Sequence, residues 1–177
     1  MANLLSITRL LLSVPLALLV AQSSWPSAVL AATLVCVAIA TDIADGRLAR
    51  ARGTASALGR VLDHGADFSF VNGGLAAAAG TGALPWLLPA LVAVAFLQYV
   101  VDSYWLHRAR ELRMSALGRW NGIAYFVPLG GAILVELGLD FLAGPTRWVA
   151  WALVVSTLAS IADRALAARR SPRPEVS

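Results

Sequence analysis

The sequence predicts an all-α polytopic membrane protein, a bundle of six transmembrane helices with both termini in the cytoplasm. Three observations lead there. Of the 177 residues, 59% are hydrophobic and only 14% charged, and the mean hydropathy is +0.73. A soluble domain carries roughly 25% charge, so the chain is set apart from ordinary cytosolic enzymes. Disorder is excluded, because it needs low hydrophobicity and high charge. Second, six apolar stretches approach the ~20 residues that a helix needs to cross a hydrocarbon core. Third, all 14 basic residues are arginine, and they gather on one side of the connections between those stretches.

The elements follow in order. The first span, near 4–22, reads as a retained helix rather than a cleaved signal peptide, because Arg9 lies close to its apolar run and further spans follow at once. Ser-Ser-Trp-Pro at 23–26 ends it. The second span, 27–50, stops before Arg-Gly-Thr at 52–54, and the third, 56–80, before Gly-Thr-Gly at 80–82. The fourth covers 84–106. Ser115 and Gly118 precede the fifth, 118–138, and Gly144-Pro145 precedes the sixth, 146–168. Residues 1–170 thus read as one membrane domain and 171–177 as a flexible cytoplasmic tail.

Arginine placement orients the bundle. The 21–27 and 80–85 connections carry no charge, and 139–147 carries one Arg and one Asp. The opposite side holds Arg47, Arg50, Arg52 and Arg60, then Arg108, Arg110, Arg113 and Arg119, then Arg164, Arg169, Arg170 and Arg173. The positive-inside rule makes that side cytoplasmic. Trp25, Trp86, Trp148 and Trp151 then fall at the outer interface, and Trp105 and Trp120 at the inner one. The net charge of +4 suits an anionic membrane surface better than nucleic acid. Cys36, alone, forms neither an intramolecular disulfide nor a zinc cluster, and reads as a small apolar filler.

The informative residues are the acids inside the spans. Four of the seven aspartates, Asp42, Asp45, Asp63 and Asp67, fall within 26 residues. Each costs on the order of 2.5–3.5 kcal/mol at a helix centre, so such groups are functional candidates by default. At 100° per residue, Asp42, Asp45, Gly46, Ala49 and Arg50 occupy an arc of about 140°, and Gly59, Asp63 and Asp67 one of about 80°. A short turn joins the two helices, which makes them expected antiparallel neighbours with facing acidic surfaces. Four carboxylates around one pocket suit hard divalent cations such as Mg²⁺, and two such ions can clamp a diphosphate. Gly46 and Ala49 leave room for a substrate, or simply let helices pack closely; Arg50 offers a fork for phosphate.

The run Asp42-Ile-Ala-Asp45-Gly46-Arg-Leu-Ala49-Arg50, then eight residues, then Gly59-Arg-Val-Leu-Asp63-His-Gly-Ala-Asp67 resembles the signature of the CDP-alcohol phosphotransferase family, D-x-x-D-G-x-x-A-R-x8-G-x-x-x-D-x-x-x-D. Every fixed position is filled. The opening Asn3-Leu-Leu-Ser-Ile-Thr8-Arg9, with Pro15 following, is similar to the family's first helix.

The resemblance implies a six-helix membrane enzyme that moves a substituted phosphate from a CDP-linked donor to an alcohol and releases CMP. It implies Asp42, Asp45, Asp63 and Asp67 as ligands of two Mg²⁺ ions (Mn²⁺ as a substitute), with Asp67 also the general base. Gly46, Ala49, Arg50 and Gly59 would line the nucleotide and diphosphate pocket. The expected donor is CDP-diacylglycerol, with a soluble CDP-alcohol and a lipid acceptor as the alternative. The expected acceptor is a small polar alcohol of the glycerol 3-phosphate or inositol phosphate type, for which Arg108, Arg110, Arg113 and Arg119 are candidate holders. A homodimer in the cell membrane, with the active site facing the cytoplasm, is also implied. The competing class is a cation-coupled transporter, but neither repeats nor broken helices are evident. His64, about 100° from Asp63 on the helix, reads as packing; Asp163 and Arg164 read as a helix-end ion pair or as part of the acceptor pocket.

Overall fold

The computed structural model describes the backbone of residues 2–52, 57–101 and 116–170, and side chains within 7–41, 64–101, 117–118 and 120–166. Within them the chain is helical, with no strand. The order is α1 (Ala2–Ala21), α2 (Trp25–Arg52), α3 (Ala57–Gly80), α4 (Leu87–Val101), α5 (Ala116–Ala124), α6 (Phe126–Glu136) and α7 (Ala143–Arg170), with a 3-10 turn at Asp140–Leu142 before α7. The fifth expected span is present as two pieces. Pro128 lacks the N–H that would bond the Ala124 carbonyl, and the helix is interrupted at Tyr125, which keeps helical dihedrals of φ −63° and ψ −22° and its amide bond to the Asn121 carbonyl. The expected break at Gly144-Pro145 moves: both residues lie in the first turn of α7, where proline's missing donor is harmless.

Three tight turns do the reversing. After α3, the Gly82 and Ala83 amides donate to the carbonyls of Ala79 and Ala78, at 3.1 and 3.0 Å. After α6, those of Gly138 and Leu139 donate to Val135 and Leu134, at 2.9 and 3.1 Å. Both are Schellman closures, and each requires the left-handed residue that glycine supplies, at φ +84° and +97°. After α1 that position falls to Ser23, at φ +45°. Ser24 then caps α2: its amide donates to Ser27 Oγ at 3.3 Å, and Ser27 Oγ donates back to the Ser24 carbonyl at 2.9 Å. Val20, Ser24, Thr81 and Glu136 border one small cavity, so the three turns share one end of the bundle. Trp25, Trp86 and Trp148 are exposed at that same end.

The core draws on α1, α2, α3, α4, α6 and α7, with Leu16, Phe70, Leu75, Leu88 and Leu129 fully buried. α3 is the chief neighbour of α1, which also packs on α2. The expected facing of the acidic stretches of α2 and α3 lies largely outside the residues with described side chains. The outside is apolar: Leu11, Val14 and Leu18 on α1 and Val155 on α7 are each at least 60% exposed. Cys36 is also exposed, so it fills no core gap. Among the described residues one stretch, Asp140–Leu166, is by itself long and apolar enough to cross a membrane, while Ile7–Ala21, Trp25–Thr41 and Leu87–Val101 are shorter apolar helices.

The α6–α7 crossing depends on Gly131. A Cβ there would lie 2.3 Å from Thr146 Oγ1 and 3.1 Å from Thr146 Cβ, so rotating the threonine does not clear it. Gly131→Ala should therefore lower stability by about 1–3 kcal/mol, a typical overpacking cost. Adding Thr146→Ala should restore most of it. Thermal unfolding in detergent reads both, and an undisturbed single variant would contradict the packing.

Candidate active site

A cavity of about 590 Å³ occupies the half of the bundle away from the three turns. Its wall is mainly apolar, with a few polar groups contributed by separate helices: Arg9 from α1, Asp67 from α3, Tyr99 from α4, Asn121 from α5 and Arg164 from α7. On α7 the lining positions Thr157, Ser160, Ile161 and Arg164 recur at three- and four-residue intervals, so one helix face supplies them.

Asp67 is 37% exposed on the cavity wall, and its carboxylate is ion-paired with Arg9, whose side chain is only 6% exposed. Next to it an aromatic ladder joins α3 to α4. Phe68 and Phe96 stack at 4.0 Å between ring centroids, and the His64 ring lies 5.8 Å from that of Tyr99. The Arg164 guanidinium sits over Tyr99 at 5.6 Å, within cation–π range. Arg164 thus lines the cavity, while Asp163 beside it is exposed. His64 packs, as expected.

Deeper in, the polar groups are bonded to each other. Thr157 Oγ1 donates to the Leu153 carbonyl at 2.6 Å and shares a 2.7 Å hydrogen bond with the Tyr125 hydroxyl. Because the Thr157 proton is spent, Tyr125 is the donor in that pair. Ser156 donates to Asn121 Oδ1 at 2.7 Å. Asn121 Nδ2 and Gln98 Oε1 are buried with no hydrogen-bond partner, and such groups cost about 1–3 kcal/mol each until satisfied.

The other expected site residues are placed by backbone alone. Asp42, Asp45, Gly46, Ala49 and Arg50 lie on the second half of α2, and Gly59 and Asp63 on the first two turns of α3. Their side chains are outside the described residues. So are Arg108, Arg110 and Arg113 entirely, and the side chain of Arg119 on α5. Four carboxylates offer oxygen only, which fits a hard divalent cation. Among the described residues there is no cluster of three potential ligands, since Asp67 alone of the four has a described side chain.

A family model described as CDP-alcohol phosphatidyltransferase matches residues 1–159, from α1 through most of α7. The chain belongs to this family. A relative from Cereibacter sphaeroides, a CDP-diacylglycerol–glycerol-3-phosphate 3-phosphatidyltransferase, is 30% identical over 163 residues, covering 87% of this chain and 73% of the relative. No solved structure matches. The protein is accordingly a transferase of phosphate-containing groups in phospholipid biosynthesis.

Sequence reasoning missed Arg9, the Tyr99–Arg164 contact and the Phe68–Phe96 stack. For Arg9 a signal existed, because an arginine within an apolar helix needs a partner. The ladder had none, since aromatic residues at helical spacing look like core. If the cavity holds substrate, Ala95→Trp on its wall should abolish turnover by filling it while leaving helix content by circular dichroism unchanged. Full activity in that variant would place the substrate elsewhere.

Proposed function

We propose that the protein is a Mg²⁺-dependent phosphatidyltransferase, multi-pass in the cell membrane, with its active site facing the cytoplasm. It transfers the phosphatidyl group of CDP-diacylglycerol to the hydroxyl of a small anionic alcohol and releases CMP. The observation that carries this reading is the position of Asp67. The last aspartate of a fully occupied motif stands on the wall of a large apolar cavity, where a lipid-linked donor and a carboxylate can meet. Helices with exposed apolar sides and charge gathered at the cavity end support the membrane setting.

In this reading Asp67 takes the proton from the acceptor hydroxyl. The acceptor oxygen forms a bond to the phosphorus that carries diacylglycerol. The bond from that phosphorus to the bridging oxygen breaks, and CMP leaves with the electron pair. No covalent enzyme intermediate is needed. Asp42, Asp45, Asp63 and Asp67 would hold the metal, which when bound neutralises the diphosphate and the departing CMP. Gly46, Ala49, Arg50 and Gly59 would line the nucleotide pocket. The name of the relative favours glycerol 3-phosphate as acceptor. Of the arginines with described side chains on the cavity wall, Arg164 stands on α7 over Tyr99, where its fork suits a phosphate; Arg108, Arg110, Arg113 and Arg119 would complete the basic side.

CMP release from CDP-diacylglycerol, Mg²⁺ and glycerol 3-phosphate, measured on protein purified in detergent, tests the proposal. Asp67→Asn should reduce turnover by at least ~100-fold, the lower end of what a general base contributes. A protein that releases no CMP with any acceptor, yet passes cations into liposomes, would be a transporter. Separately, Arg164→Ala should raise the KM for the phosphate-bearing acceptor by about 10-fold or more, as loss of a charge-assisted hydrogen bond predicts, and leave the KM for the donor unchanged. An unchanged acceptor KM would remove Arg164 from that pocket.

A further inference from the structure

The Arg9–Asp67 pair shares a register with the packing of α1 on α3. A Cβ on Gly74 would lie 2.8 Å from Leu129 Cδ1 of α6 and 3.3 Å from Leu16 Cδ2 of α1. Gly74 thus leaves the space into which these two leucines pack. Seven residues earlier on each helix, two turns or about 10.5 Å along the axis, Arg9 meets Asp67. One parallel register therefore contains both contacts. The seam between them is dry, with Leu16 and Phe70 wholly buried.

Stability is a poor reason for this pair. Two charges taken from water lose solvation that their attraction scarcely repays, and an apolar pair of the same volume is often as stable. The pair does not stand in the middle of the seam, however. It stands at the cavity wall, which both residues line, with Arg9 almost fully covered and Asp67 a third open. A rigid, always-charged guanidinium anchored in packed helix thus grips a carboxylate that faces the space where substrate would sit.

We propose that Arg9 is a positioning residue: through its ion pair it fixes the orientation of the Asp67 carboxylate toward the acceptor hydroxyl. The proposal rests on the reading of Asp67 as the base. Arg9 touches Asp67 and acts through it, in the same α1–α3 register that packs Leu16 at Gly74.

Arg9→Met and Arg9→Lys, with Asp67→Asn and the Arg9→Met/Asp67→Asn double variant, form the test. The first readout is thermal unfolding in detergent without substrate. The double variant should melt at a temperature that differs from the sum of the two single shifts, because the two residues interact. Additive shifts would overturn the pairing whatever the activity. The second readout is steady-state kinetics. Arg9→Met should lower kcat about 100-fold, the scale of a misplaced catalytic group, with the KM of donor and acceptor and the Mg²⁺ concentration for half-activation within about threefold of wild type. Arg9→Lys should recover part of that kcat. Unchanged kcat would overturn the proposal, and so would a loss confined to KM, which would make Arg9 a substrate contact. If the melting shifts couple while the wild-type protein releases no CMP, the pairing stands and the phosphatidyltransferase reading fails instead.

Discussion

The close approach of α1 to α3 is the constraint on which the rest of the arrangement depends. Gly74 carries no side chain where Leu16 of α1 and Leu129 of α6 converge, and dispersion along the seam rewards that fit. The three helices are joined at this point. With α1 packed on α3, Arg9 and Asp67 are brought together at the cavity wall.

Polarity is sorted along the bundle axis. At the end with the three turns, backbone groups are closed by Schellman bonds and by the reciprocal Ser24–Ser27 cap. At the other end, ion pair, cation–π contact and aromatic ladder replace those closures. The cavity lies where helix–helix packing is interrupted by these longer polar side chains. Its deeper wall carries the Tyr125–Thr157 and Ser156–Asn121 hydrogen bonds, which tie α5 to α7 across the proline break. The break in the fifth span is thus braced from the side, while the Tyr125 amide keeps its own bond to the Asn121 carbonyl at 3.0 Å.

Much of this was legible in the sequence because it follows from composition and from local chemistry. Helix positions came from apolar runs and turn residues, and Gly82 predicted its turn by occupying a position that demands positive φ. Gly144-Pro145 misled for a related reason: proline signals a boundary without saying on which side of it the helix lies. The motif aspartates were visible because charge is conspicuous against an apolar background. What could not be read was that α1 packs chiefly on α3, since chain adjacency is not spatial adjacency and the small residues that decide it look alike on every helix. Arg164 was ambiguous for the same reason. Its orientation depends on Tyr99, 65 positions away in the chain, and no local pattern encodes that meeting.

The wall of the cavity has a consequence for how an amphipathic donor would be read. On α3 the lining passes from Val71 and Phe68 to Asp67 and His64, and on α7 from Thr157 to Arg164. Both walls become more polar in the same direction. An acyl chain gains about 0.8 kcal/mol for each CH₂ removed from water, whereas a diphosphate turned toward the apolar end would lose its solvation without a partner. The gradient would therefore orient a lipid-linked nucleotide of the proposed kind before any specific contact forms. That orienting energy is the same in the bound and the reacting state, so it sets affinity and leaves rate untouched. Rate has to come from groups at the polar end whose positions are fixed in advance. Among the described residues, the carboxylate held in that way is Asp67, and α1 is the helix that holds it.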